Sequence, residues 1–261
     1  MRIRTHFFLL SIFLSIVFLL PGYSAAESPF TLRVERDTEA LKGDYRRFYL
    51  DADNLMSFIG VGAVAGVLAN TELDREFQEF YRDDIKSSWT DGASKLLRVP
   101  GELVVAVPVL LGAYLKYDEN TPAGEWAGKS LRALLVGGPA GLFIRSLTGA
   151  GRPNEGGSQW RPFVDNNGLS GHAFVGAVPF LTAARMQDDP RMKALLYTLS
   201  ALPAASRVND GRHYLSQALL GWYLAYLSVA VVDAAKGADG VSFFVIPTEN
   251  NGILLRASIR Y

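Results

Sequence analysis

Two histidines and three arginines stand at positions where their chemistry can be pooled. Arg145 closes one apolar stretch, and Arg152-Pro153 follows after six residues, in a glycine-rich loop. Ser170-Gly171-His172 opens the next apolar stretch, and Ser206-Arg207 closes the one after it. His213 opens the last, with Gln217 one helical turn further on. Guanidinium groups bind oxyanions through paired N–H donors, and imidazole attacks electrophiles or carries protons near neutral pH. Backbone N–H groups at a helix start, here Ser170, Gly171 and His172, add a site for negative charge. Three arginines gathered on one edge, without acids to neutralise them, suit an oxyanion ligand. Singly, each residue is ordinary, because a histidine at a helix start is usually a cap and Arg-Pro in such a loop is usually a turn. The joint spacing carries the argument. The remaining histidine, His6, lies in the leading segment.

With these residues in order, the chain resembles the type 2 phosphatidic acid phosphatase superfamily, which also includes bacterial acid phosphatases and vanadium haloperoxidases. The family pattern is Lys, six residues, Arg-Pro; then Pro-Ser-Gly-His; then Ser-Arg, five residues, His, three residues, Asp. Here it reads Arg145 to Arg152-Pro153, Leu169-Ser170-Gly171-His172, and Ser206-Arg207 to His213 to Gln217. Order and spacing agree, and the resemblance covers roughly residues 50–235. It implies that His213 attacks phosphorus and becomes a phosphohistidine. It implies that His172 is the general acid and later the base. Arg145, Arg152, Arg207 and the Ser170-Gly171 amides then hold the phosphoryl oxygens, with no metal or other cofactor. Three positions depart from the pattern. Arg145 replaces Lys and keeps the charge. Leu169 replaces Pro and removes no reacting group. Gln217 replaces the Asp that orients the nucleophilic histidine, and it brings no charge. The resemblance therefore implies a metal-independent phosphatase for phosphomonoesters or diphosphates, lipid-borne. The alternative is a catalytically impaired phosphate- or lipid-binding protein.

The elements that must position these residues are apolar helices. Uncharged stretches rich in Ala, Leu, Val and Gly recur at 54–71, 103–115, 133–144, 173–184, 194–206 and 214–232, without strand-like alternation. Successive helices of an up-down bundle are antiparallel. The end of the third stretch, the start of the fourth, the end of the fifth and the start of the sixth then share one end of the bundle. Pro139, Pro179 and Pro203 fall inside predicted helices, where each should kink or break its helix. Leu73, Phe77, Phe80 and Tyr81 recur at helical spacing among charges, so 72–98 reads as an amphipathic surface helix. Alternation at Ile253, Leu255, Ala257 and Ile259, the run Val241–Ile246 and the turn Glu249–Gly252 read as a hairpin, with Thr31–Val34 a candidate third strand. The fold class is thus all-α: about six apolar helices, an added amphipathic helix and a small C-terminal β-hairpin. The divisions are 1–26, 27–53, 54–235 and 236–261, the second with a candidate short strand.

Composition narrows the class. The 261 residues are 49% hydrophobic, and the 26 basic and 26 acidic side chains cancel, which excludes disorder and disfavours nucleic-acid binding. No cysteine is present, so thiolate zinc sites and cysteine nucleophiles are excluded. Arg2 and Arg4, the uncharged run Phe7–Leu20 and the small residues Ser24-Ala25-Ala26 read as a secretory signal peptide over 1–26. That implies an extracytoplasmic, periplasmic place. The bundle is soluble or seated on a membrane surface; the alternative is an integral inner-membrane protein, since 54–71 and 214–232 approach spanning length. Trp160 and Tyr214, beside the motifs, read as core aromatics. Gly149 and Gly151 lack the strand and third glycine of a dinucleotide fingerprint, and Gly128-Lys129-Ser130 lacks the upstream loop of a phosphate-binding P-loop.

Overall fold

The computed structural model describes residues 28–234, together with the backbone of 240–247 and 253–260. The segment read as a signal peptide and the turn at Glu249–Gly252 lie outside the described residues. Among the described residues, 28–36 and those from Asp37 onward fall in two separate units, and everything below concerns the second unless stated.

Nine α-helices form among the described residues, and the class is all-α. They are α1 (Pro29–Leu50), α2 (Ala52–Asn70), α3 (Leu73–Phe80), α4 (Ser88–Leu97), α5 (Leu103–Lys116), α6 (Pro122–Thr148), α7 (Gly171–Arg185), α8 (Pro190–Asn209) and α9 (Leu215–Asp233). Helix starts follow capping chemistry. Ser87, Thr121, Ser170 and Asp189 each place a side-chain oxygen on a first-turn amide, and Pro122 and Pro190 occupy first helical positions where no N–H is missed. The backbone strands β1 (Gly240–Pro247) and β2 (Ile253–Arg260) pair antiparallel, from Gly240 opposite Arg260 to Pro247 opposite Ile253.

The core is built around α9, which packs on α2, α6, α7 and α8. Leu220, Tyr223, Leu224 and Val231 of α9 are buried with Phe174, Val178 and Leu181 of α7 and Val136 of α6. Each such side chain is worth roughly 1.5–3 kcal/mol of transfer free energy. Gly221 sets the closest approach, because a Cβ there would lie 2.3 Å from the Ser170 carbonyl oxygen. Only glycine lets α9 touch the turn that opens α7.

Two expectations change, and a third narrows, since the interior prolines do not break their helices. Thr31–Val34 lies inside α1, not in a strand: Leu32, Glu35, Glu39, Ala40, Leu41 and Lys42 are helix formers, and the Ser28 hydroxyl accepts the Thr31 amide. The amphipathic segment is not one helix. A π-turn at Tyr81–Ile85 separates α3 from α4, and Ser87 caps α4 anew. Finally, α6, α7 and α8 run unbroken through Pro139, Pro179 and Pro203. At Pro139 the carbonyl of Leu135, deprived of its helical donor, accepts the Tyr45 hydroxyl at 2.8 Å.

Candidate active site

His213 lies between α8 and α9 and is almost fully buried. Its amide bonds the Arg207 carbonyl at 3.2 Å, which ties the loop to the end of α8. Its ring Nδ1 lies 2.9 Å from Gln217 Oε1. The amide of Gln217 can be oriented from its other partners. Gln217 Nε2 donates to the Gly151 carbonyl at 2.7 Å, and Oε1 accepts the Tyr214 amide at 3.2 Å. Oε1 is therefore an acceptor, so a neutral His213 carries its proton on Nδ1 and leaves the Nε2 lone pair open. Burial pushes His213 down to about 3, against its hydrogen bond to Gln217 and with help from Arg207, Arg152 and Arg145. The ring is neutral at pH 7.

Gln217 is itself fully buried and joins all three motifs. Its side chain holds His213 and the Gly151 carbonyl beside Arg152, and its own carbonyl accepts the Ser170 amide at 2.9 Å. It also closes half of a capping box, bonding the amide of Tyr214 at the N-cap of α9 from the third helical position. The other half comes from a different helix. The buried Asp74 of α3 accepts the Ser216 amide at 3.0 Å and also bonds the Ser216 hydroxyl. Burial raises the Asp74 carboxyl above its ordinary range.

The arginines converge from three segments. Arg145, in the last turn of α6, donates from Nε to the Asn166 carbonyl at 2.9 Å. Burial lowers its pKa and Arg152 adds to the fall, while Asp165 opposes it. Its Nη1 lies 3.9 Å from where a Cβ on Gly171 would stand, over the start of α7. Arg152 reaches Glu155 at 3.4 Å with Nη1, and its Nε is buried without a hydrogen-bond partner. Arg207 is arranged likewise, with Nη1 3.5 Å from Asp210 and a buried, unpartnered Nε. Two buried guanidinium N–H groups without acceptors, beside a helix N-terminus, describe a place for an oxyanion.

Ser170 corrects one expectation. Its amide is committed to Gln217 and its hydroxyl oxygen accepts the Ala173 amide at 3.3 Å, so the amides open to a ligand are those of Gly171 and His172. Leu169 is buried in the core and anchors that turn. Asp210 does not serve His213. It lies against Arg207, and its other oxygen is 2.6 Å from the buried Ser94 hydroxyl of α4. Trp160 packs against the core and Tyr214 is buried. Lys129 is paired with Asp233 at 2.6 Å and Glu125 at 3.2 Å.

The sequence reading missed two charged residues. Glu102, just before α5, places Oε2 3.3 Å from His172 Nε2. Arg98, at the end of α4, acts on both His172 and Arg207. Burial lowers the His172 pKa and Arg207 adds to it; Glu102 opposes both, and Arg98 lowers it further. Neither residue belongs to a motif, so only the fold brings them in. A cleft of about 510 Å³, lined in part by Arg75, Arg82, Lys86 and Arg212, opens beside the segment that carries His213. Among the described residues no three His, Asp or Glu side chains form a group that could hold a metal ion.

Residues 134–236 match the model of a protein family described as the PAP2 superfamily. The match runs from α6 through α9 and includes Arg145, Arg152, Ser170, Gly171, His172, Arg207, His213 and Gln217. Arg98 and Glu102 lie outside it. No curated protein and no solved structure matches the chain.

Proposed function

We propose, from the match of residues 134–236 to the PAP2-superfamily model, that the chain is a metal-independent phosphatase working through a phosphohistidine. The superfamily match supports a phosphatase-type activity on a phosphorylated substrate. The observation that carries the finer reading is the orientation of the Gln217 amide, which puts the His213 proton on Nδ1 and frees Nε2.

In this reading the phosphoryl oxygens lie against Arg145, Arg152, Arg207 and the Gly171 and His172 amides. His213 Nε2 attacks phosphorus, and the bond to the leaving oxygen breaks. His172, protonated, gives its proton to that oxygen. Neutral His172 then takes a proton from water as the water oxygen attacks phosphorus. The N–P bond breaks, and inorganic phosphate leaves. The substrate is a phosphomonoester or diphosphate, and its lipid character is supported by the apolar exterior. Two helices, Ala52–Asn70 and Leu215–Asp233, are long and apolar enough to cross a membrane, and the bent pair Ser88–Gly101 and Leu103–Lys116 adds a third if counted as one span.

The test is phosphate release in EDTA from p-nitrophenyl phosphate and a short-chain phosphatidic acid, by the protein and its His213→Ala variant. Release that disappears in the variant supports the reading; equal release overturns it. A second reading, phosphate binding without turnover, rests on Gln217 bringing no charge to stabilise a phosphohistidine. It predicts vanadate binding by a protein that releases no phosphate from either substrate.

A further inference from the structure

Glu102 stands where a helix breaks. The segments Ser88–Gly101 and Leu103–Lys116 meet at 50°, with the turn Val99–Gly101 between α4 and α5. Pro100 and Gly101 account for the break, since proline removes a donor and glycine holds helix poorly. Glu102 takes the N-cap position of α5 with an extended backbone, yet its side chain bonds none of the amides of that helix. An acidic N-cap side chain ordinarily bonds the second or third amide of its helix. This one turns away, and its Oε2 lies 3.3 Å from His172 Nε2. The backbone presses in behind it. A Cβ on Gly101 would lie 2.6 Å from the His172 carbonyl oxygen, so only glycine allows the apex this close to α7.

We propose that Glu102 is a positioning residue for proton transfer: it orients the His172 ring and keeps Nε2 protonated until the leaving oxygen takes that proton. This rests on the phosphatase reading above. The charged groups that face His172 come from four segments. Arg207 reaches it from α8, Arg98 from the end of α4 and Glu102 from the start of α5, while Arg145 overhangs Gly171 at the start of its own helix. Cations alone would strip the ring of its proton, and Glu102 is the anion of that set. The 3.3 Å separation is long for a charge-assisted bond, so the same N–H can turn to a leaving oxygen. The balance is closed. Nε2–H passes to the leaving alkoxide, His172 becomes neutral, Glu102 keeps its charge, and the proton of the attacking water restores Nε2–H.

The experiment is Glu102→Gln in the full chain, which keeps size and polarity and removes the charge. His172 is titrated by NMR with and without inorganic phosphate. Its midpoint is expected to fall by about one pH unit, a tenfold change in the protonated fraction above the midpoint. The basic limb of kcat against pH shifts down equally. At pH 7 kcat falls about tenfold on a short-chain phosphatidic acid, whose alkoxide needs a proton, and less than about twofold on p-nitrophenyl phosphate, whose phenolate does not. An unchanged His172 midpoint overturns the proposal, as do equal losses on both substrates. Absence of release by the wild-type protein overturns the phosphatase reading instead, and the NMR midpoint still decides whether Glu102 holds the His172 proton.

Discussion

A neutral amide at Gln217 does two things at once that a carboxylate cannot. It accepts from His213 and Tyr214 through oxygen, and it donates to the Gly151 carbonyl through nitrogen. Its absent charge is the other side of that exchange, because only a neutral hydrogen bond, and no anion, opposes the arginines acting on His213. This has a consequence for stability. The unfolded chain binds a proton on His213 below about pH 6.5, while the folded chain refuses it until about pH 3. Stability contributed by the neutral ring is complete above the unfolded pKa and is lost as pH falls through that window. The slope is at most about 1.4 kcal/mol per pH unit for one proton. Urea unfolding at pH 7, 5 and 4 checks it, and His213→Asn is expected to flatten the slope. The residues themselves were legible in the sequence, since type and spacing are what a motif is. The partners of Gln217 were not, because a loop carbonyl 66 residues away leaves no mark on composition.

Helix N-termini do the positioning. α7 starts at a Ser170 cap that leaves two amides for a ligand, whereas α9 starts at Tyr214, which caps nothing with its side chain. Asp74 of α3 makes up for it through Ser216. Asp74→Ala is expected to cost about 1–2 kcal/mol in urea unfolding, the worth of a lost cap, and to lower phosphate release by disordering the turn that holds His213. A change below a few tenths of a kcal/mol would contradict that role. The long uncharged helices were legible from their length and lack of charge, which do not by themselves report burial: α2 leaves Leu55, Met56 and Ile59 exposed. The break at Tyr81–Ile85 was not legible. The apolar residues that carry the helical spacing, Leu73 to Tyr81, stop where the π-turn begins, so they leave no mark of the break. Thr31–Val34 was misread because four residues at period two say less than the helix formers that follow them.

At the scale of the molecule, chain order alone brings the motif segments near one another, as antiparallel neighbours must. Arg98 and Glu102 arrive from outside that order, through a broken helix. The surface is unusually apolar. Leu55, Met56, Ile59 and Val67 of α2, Val104 and Leu115 of α5, and Phe143 of α6 are all exposed. Apolar exposure of this extent marks an interaction or membrane surface. Co-sedimentation with phospholipid vesicles is expected, and Leu55→Glu with Ile59→Glu should reduce the bound fraction; binding unchanged by that pair would remove α2 from the contact. The most direct measurement is alkaline quench of the enzyme with phosphorus-labelled short-chain phosphatidic acid, followed by peptide mapping. The account predicts an alkali-stable, acid-labile phosphoryl group on the peptide that carries His213, and none in His213→Ala. Label on any other residue, or turnover by His213→Ala, would contradict it.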